Sequence, residues 1–220
     1  MKKVKFIVFI CLFILLPLAY FNGFIRISDL TSEQESIAKK YGGVYVFDEK
    51  LEKEIDKREE ERDKVNKEIL KEVSNIQDKE EQNKQLRLLL QEKFYDNPKL
   101  ERVLSNGKKY YSRKDNIKID NYKILNNYEE KLKEFMGKDY DKYENYLSIN
   151  LGYFYIDNDT IVPISIGVST LYTEVTFGLY GDEASGIKFT KESTQRLIGD
   201  NKFYLTDNKF EKVSTSDKDK

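Results

Sequence analysis

The sequence predicts an α+β protein with an N-terminal membrane-spanning helix, then a long charged helix or helical hairpin, then amphipathic helices packed on a small antiparallel sheet. Three observations lead to this fold class. Residues 6–21 are sixteen consecutive apolar residues, residues 48–95 contain neither Gly nor Pro, and apolar residues alternate with polar ones through much of 147–179. These patterns are typical of a membrane segment, a long helix and successive strands, respectively.

Residues 1–25 predict a signal anchor. Three lysines precede the apolar run, and a run extended to Ile25 gives about 30 Å of helix, enough to cross the apolar core of a bilayer. No pair of small residues has the spacing that favours signal-peptide cleavage, so we expect an uncleaved anchor, with a cleaved signal peptide as the alternative. Because positive charge stays on the cytoplasmic side, residues 26–220 are predicted to be extracytoplasmic.

Residues 26–47 predict one short helix and one strand. Thr31 and Gln34 have the spacing of a capping box, in which each side chain bonds the backbone N–H of the other residue. The helix that they open is expected to end near Lys40, before the glycines at positions 42 and 43. The β-branched and aromatic residues 44–47 then predict a strand that joins a sheet formed later in the chain.

Residues 48–95 predict a long charged helix and a possible coiled coil. More than half of these residues are charged, and good helix formers dominate. The apolar stripe is interrupted twice, at 56–64 and at 77–85, so it is sustained for only two heptads at a time. A solvated helix packed along one face and a partner-binding coiled coil both fit this pattern. A third reading is an antiparallel hairpin with its corner at 77–83.

Residues 96–213 predict an α+β domain, and the polar residues 214–220 predict a disordered tail. Asn97 and Pro98 are typical of a helix start, and a second helix is expected over about 121–136. An antiparallel meander should follow. Its predicted strands are 147–155, 161–168 and 171–179, followed by a loop at 181–186, a short helix from Thr190 to Gly199, and a hairpin over 202–213 that turns at Asp207-Asn208.

Composition excludes several classes of function. The chain has no His, so a Ser-His-Asp triad and the usual zinc ligand are missing, and its single cysteine, Cys11, lies in the apolar run. The first 25 residues hold three of the 38 basic side chains and none of the 39 acidic ones, which leaves residues 26–220 with a net charge of −4. We therefore expect no nucleic-acid partner, and no motif predicts a cofactor or a metal.

Weak candidates for chemistry are confined to short motifs. Asp182 and Glu183 stand in the predicted Gly-flanked loop and could supply a carboxylate pair. Ser105 and Lys108 match a Ser-x-x-Lys pattern, but the Asn-Gly pair between them marks a helix end, where the two side chains do not meet. Residues 157–159 resemble the start of a calcium loop but lack its sixth-position Gly and its final Glu, so a hairpin turn explains them better.

Three functions fit these features. The leading hypothesis is a membrane-anchored extracytoplasmic protein, held through residues 6–25, that acts as a non-enzymatic interaction or envelope-assembly module and binds another envelope protein. One alternative is an exported carboxylate-dependent enzyme that uses Asp182 and Glu183. The other is a cleaved, secreted inhibitor or immunity-type factor. The leading hypothesis rests on the apolar segment and on the missing catalytic residue types, together with an analogy of layout to envelope assembly proteins.

Overall fold

The computed structural model of the protein has an α+β fold, and the α+β class is confirmed. It describes residues 2–17, 25–115, 117–119, 122–124, 127–182 and 186–213. The chain divides into two units, each made of three separate segments. Unit 1 comprises Met1–Gly43, Lys142–Ser148 and Val168–Asn201, and unit 2 comprises Val44–Asp141, Ile149–Gly167 and Lys202–Lys220.

In the described part of the chain, helices and short strands are mixed up to residue 146, and only strands follow. The described helices are α1 (Lys2–Ile10), α2 (Ser32–Tyr41), α3 (Glu49–Val73), α4 (Lys79–Leu89), α5 (Asn127–Met136) and α6 (Lys138–Tyr143). The described strands are β1 (Ile25–Ser28), β2 (Gly43–Val46), β3 (Tyr110–Ser112), β4 (Lys123–Ile124), β5 (Leu147–Leu151), β6 (Tyr153–Asp157), β7 (Thr160–Pro163), β8 (Ser165–Asp182), β9 (Gly186–Ile198), β10 (Asn201–Thr206) and β11 (Lys209–Lys212).

The N-terminal segment is helical where it is described. After α1, a π-helical turn at Cys11–Leu15 continues the helix to residue 17. In the described part of the chain, no helix combines the length and the apolar character needed to cross a membrane. The sequence predicts that the membrane-spanning helix ends at Ile25, and this bound is wrong. Ile25 belongs to strand β1, where it pairs with Phe177 of β8.

In unit 1, β8 is paired on both sides. β1 lies antiparallel to it from Ile25 opposite Phe177 to Ser28 opposite Glu174, and β9 pairs with it from Ile198 opposite Ser169 to Gly186 opposite Asp182. The predicted capping box of α2 is confirmed, with Thr31 and Gln34 in the expected roles. The helix ends at the predicted glycines, where a side chain on Gly43 would meet the Asn201 carbonyl oxygen at 2.0 Å.

In unit 2, residues 48–95 form a helical hairpin, one of the predicted arrangements. α3 ends at Val73 and α4 starts at Lys79, so the corner lies at 74–78, slightly before its predicted place. The corner lacks Gly, and capping compensates: the Asp78 carboxylate accepts from the Glu81 N–H at 2.8 Å. The Lys93 ammonium then binds Glu72 at 2.7 Å and holds the end of the second arm against α3.

Unit 2 also contains a four-stranded sheet and an aromatic core. The sheet order is β3-β6-β7-β4, antiparallel except for the parallel pair β4–β7. The predicted strand β2 joins later strands as expected, next to β10, and β10 forms the predicted hairpin with β11. Tyr45 stacks on Phe203, with 4.5 Å between ring centroids, and meets Phe210 edge-on at 4.9 Å. All three of these rings are buried.

Several predicted elements differ from the structure. The helix at Asn97-Pro98 lasts a single 3-10 turn, Pro98–Leu100, because Val103 bridges back to Lys109 across the turn at Gly107. The predicted helix at 121–136 begins only at Asn127, after strand β4. The predicted first strand is divided into β5 and β6, and the predicted second strand is divided between β7 and β8, which also contains the third. The helix predicted from Thr190 is part of strand β9. The predicted tail, 214–220, lies outside the described residues.

Candidate functional site

The predicted carboxylate pair lies at the end of the β8–β9 hairpin. Asp182 is the last residue of β8 and its backbone is opposite Gly186, so the predicted loop is shorter than expected. Glu183 falls outside the described residues. The hypothesis that these two carboxylates act together therefore stays a prediction.

The other two motifs have structural roles. The Lys108 ammonium lies 2.6 Å from Asp157 Oδ1, and the Ser105 N–H donates to Glu54 at 3.2 Å. Asn158 and Asp159 have φ angles of 46° and 57°, as a two-residue hairpin turn between β6 and β7 requires. The predicted hairpin turn is confirmed. Among the residues described, no three His, Cys, Asp or Glu side chains are grouped so that they could hold a metal ion.

A cluster around Arg102 links α3 to the start of the four-stranded sheet. The guanidinium donates to Glu59 through Nε at 2.9 Å and to both oxygens of Asp115 at 2.9 and 3.0 Å. The Tyr110 hydroxyl also donates to Glu59, at 2.8 Å. Burial raises the pKa of Tyr110, and its bond to the Glu59 carboxylate raises it further. Each charge in this cluster faces an opposite charge.

A second group of acidic residues lies on α3 before Glu59: Asp56 is about one helical turn earlier and Glu52 about two. Glu52 has a side chain only 6% exposed, and its carboxylate meets the Lys202 ammonium at 2.5 Å, while Asp56 lies 3.8 Å from the same ammonium. Burial raises the pKa of Glu52, and the nearby Asp56 charge also raises it, against the effect of Lys202. Because the lysine is positioned between the two carboxylates, this group stabilises the contact of α3 with β10.

A mostly apolar pocket opens within unit 2. We call it the Phe47 pocket. It has a volume of about 210 Å³ and takes residues from five separate stretches of the chain. The residues that line it are Phe47, Asp48, Leu51, Asn127, Tyr128, Lys131, Tyr155, Val162, Pro163, Ile164 and Leu205. Most of the lining is aromatic or aliphatic, and its polar residues are Asp48 before α3, Asn127 at the start of α5 and Lys131 one turn into α5.

The walls of the Phe47 pocket are held in place by the surrounding fold. Leu51 and Ile164 are buried members of one core cluster, against which Tyr155 packs. The rings of Phe47 and Tyr128 meet edge-on at 6.4 Å. Burial raises the pKa of the Tyr155 hydroxyl, and the carboxylates of Asp157 and Asp48 raise it further. The Tyr155 hydroxyl therefore stays neutral and can donate a hydrogen bond at physiological pH.

The polar rim of the pocket consists of the exposed Asp48 and Asn127 and the half-buried Lys131. Asp48 caps α3 through one carboxylate oxygen, which accepts from the Leu51 N–H at 2.9 Å, and Asn127 begins α5. Lys131, one turn further along α5, donates to the side chain of Asn208. The arrangement can hold an apolar group inside while its rim bonds to polar atoms at the entrance.

No family model, curated protein or solved structure matches this chain. Sequence reasoning did not predict the Phe47 pocket, although it expected a helix over about 121–136, which includes Tyr128. The lining residues lie far apart in sequence, so only the folded chain brings them together. The one local signal was an excess of Tyr and Phe, 16 and 13 residues respectively, which predicts a core as readily as a binding surface.

Proposed function

We propose that this protein is a membrane-anchored, extracytoplasmic, non-enzymatic module that binds another envelope protein through the Phe47 pocket. The anchor is the apolar segment 6–24, one residue shorter than the sequence alone predicts. Lysines 2, 3 and 5 precede this segment, and Arg26 is the first charge that follows it. This asymmetry favours an orientation in which residues 26–220 face away from the cytoplasm.

The size and lining of the Phe47 pocket support the proposal that the protein binds a side chain of a partner protein. At about 210 Å³ it is smaller than the roughly 300–1,000 Å³ typical of pockets for small-molecule ligands. A single aromatic or large aliphatic side chain is the occupant of matching size. Protein interfaces often have this form, with one buried apolar anchor from the partner surrounded by a polar rim. Here Asp48, Asn127 and Lys131 supply that rim.

Charge supports a protein partner. Residues 26–220 carry a net negative charge, which disfavours nucleic acid. The two acidic clusters on α3 face Lys202 and Arg102, and those ion pairs account for the carboxylates of Glu52 and Glu59 in structural terms. The apolar pocket, rather than these paired charges, is therefore the surface that we propose for a partner.

Photocrosslinking in intact membranes tests this function. A photoreactive benzoylphenylalanine replaces Asn127 at the rim, and the same group replaces the exposed Leu88 of α4 as the matched control. We expect a discrete higher-mass adduct from position 127 and none from position 88. Filling the pocket with Val162→Phe should reduce that adduct at least fivefold and leave the near-ultraviolet circular dichroism of the tyrosines unchanged. Equal adducts from both positions, or an adduct indifferent to Val162→Phe, would contradict the proposal.

A further inference from the structure

The end of the β8–β9 hairpin exposes large apolar side chains. The exposed fraction is 56% for Leu179, 69% for Ile187 and 55% for Phe189. Ile187 and Phe189 are two residues apart on one strand, so their side chains leave the same face of the ribbon. Further along β9, the residues of that face at 193, 195 and 197 are partly covered, while at 187 and 189 the face is open.

The register of β1 places this hairpin end on the side from which the apolar segment arrives. β1 is antiparallel to β8 and Ile25 lies opposite Phe177, so the N-terminal end of β1 and the turn of the hairpin point the same way. β8 continues for five residues beyond Phe177, but a bulge sets them against four residues of β9, a rise of about 13 Å at roughly 3.3 Å per residue. Pro17 is eight residues before Ile25, so the two cannot be more than about 29 Å apart.

A mainly basic stretch follows the apolar end: it holds Arg26 and Lys191, together with the Glu174 carboxylate 3.6 Å from the Arg26 guanidinium. Arg26 and Lys191 both lie opposite Thr176, one on each side of β8, so all three side chains share one face of the sheet. Lys191 is two residues after Phe189 and therefore lies on its face. Along this face the apolar side chains come first, and the mainly basic stretch begins two residues further from the turn, about 7 Å at the usual rise of a strand.

We infer that the β8–β9 hairpin end is a second membrane contact, in which Leu179, Ile187 and Phe189 enter the headgroup and upper acyl region of the bilayer that holds the apolar segment. Arg26 and Lys191 then lie at the depth of the lipid phosphates. This inference rests on the proposed anchoring. A single apolar helix leaves the outer part free to tilt and rotate, and a second contact beside it fixes which face of unit 1 meets the membrane.

Labelling at single cysteines tests this contact. With Cys11→Ser as background, the full chain carries no other cysteine, so Ile187→Cys places one environment-sensitive NBD fluorophore at the hairpin end. Ile198→Cys is the matched control, because it is the same residue type on the same strand, 70% exposed and eleven residues away. Each chain is reconstituted into vesicles of phosphatidylcholine and phosphatidylglycerol at three to one.

We expect nitroxide-labelled lipid to quench the fluorophore at position 187 at least three times as strongly as that at 198, and aqueous iodide to show the reverse order. Equal iodide quenching at both positions, with the chain still in the vesicles after a carbonate wash, would overturn the inference and leave the anchor in place. Protection at 187 from both quenchers would also overturn it, since a protein surface would then cover the hairpin. Loss of the chain from the vesicles in carbonate would overturn the anchor and the inference together.

Discussion

Asp115 is stabilised as an anion by groups that only the folded chain brings together. Its carboxylate accepts from the Ser112 N–H at 2.7 Å and from the Arg102 guanidinium at 2.9 Å. Burial alone would raise the pKa of Asp115, but the Ser112 bond and Arg102 outweigh it and lower that pKa below the ordinary value of 3.8. An unfolded chain therefore takes up a proton at this residue at a higher pH than the folded chain does.

The replacement Asp115→Asn should lower the free energy of unfolding by about 1–2 kcal/mol at neutral pH, because hydrogen bonds to a charged group are lost. The stabilisation from a lowered carboxyl pKa is present above the unfolded pKa and disappears as pH falls through the folded pKa. The difference from wild type should thus shrink below about pH 4. This difference in the free energy of unfolding is measured by urea unfolding of the full chain in non-ionic detergent at several pH values from 7 to 3. Tyrosine circular dichroism monitors the unfolding.

Asp63→Asn is the matched control, since Asp63 is an exposed carboxylate on α3. This replacement should change the free energy of unfolding by no more than about 0.5 kcal/mol at every pH. If the difference between Asp115→Asn and wild type stayed constant down to pH 3, the carboxylate would not be the group that Arg102 and Ser112 stabilise.

Two helices of similar capping chemistry differ in what they bury. The Asp48 carboxylate caps α3, which buries Leu51 and Ile55 in its first two turns, whereas Asp78 caps α4, none of whose residues is buried. α4 is therefore held by its cap and a few surface bonds. Helices with few buried contacts open locally at a lower free energy than the whole chain does.

Matched cap variants should separate local from global opening. Asp78→Ala should speed amide hydrogen exchange in α4 about fivefold, as the loss of roughly 1 kcal/mol predicts, and leave the global unfolding free energy unchanged. Asp48→Ala should lower the global free energy of unfolding by about 1 kcal/mol, because α3 is packed into the core. Exchange measured by mass spectrometry on peptides from each helix, beside urea unfolding, distinguishes the two. The same global loss in both variants would show that α4 opens only with the whole chain.

Elements with local signals were predicted well, and those fixed by distant pairing were not. The capping box at Thr31 and the turn at Asp207-Asn208 depend on neighbouring residues, and both are confirmed. Residues 190–198 contain good helix formers, yet their pairing with residues 169–177 makes them a strand. The Asn-Gly pair at 106–107, predicted to end a helix, turns the chain between Val103 and Lys109. The Phe47 pocket has no local signal, because its walls come from separate elements.

At the scale of the whole molecule, neither unit is a continuous piece of chain. Unit 2 ends with residues 202–220, which follow the last segment of unit 1. The final hairpin, β10–β11, supplies Phe203 and Phe210 to the aromatic core of unit 2, which begins at Val44. The core of unit 2 is therefore complete only when the chain has been made as far as Phe210.

Truncation after Asp200 should therefore unfold unit 2. It removes Phe203 and Phe210, which are both buried, and it leaves Tyr45 without its stacked ring. Loss of one buried Phe side chain typically costs 3–5 kcal/mol, and whole domains are stable by only about 5–15 kcal/mol, so the loss of two exhausts most of that stability. Truncation after Val213 keeps both strands and serves as the control. Near-ultraviolet circular dichroism of the tyrosines should fall sharply in the shorter chain, because most of the tyrosines belong to unit 2, and persist in the longer one. A native spectrum after truncation at Asp200 would mean that the core closes without its last hairpin.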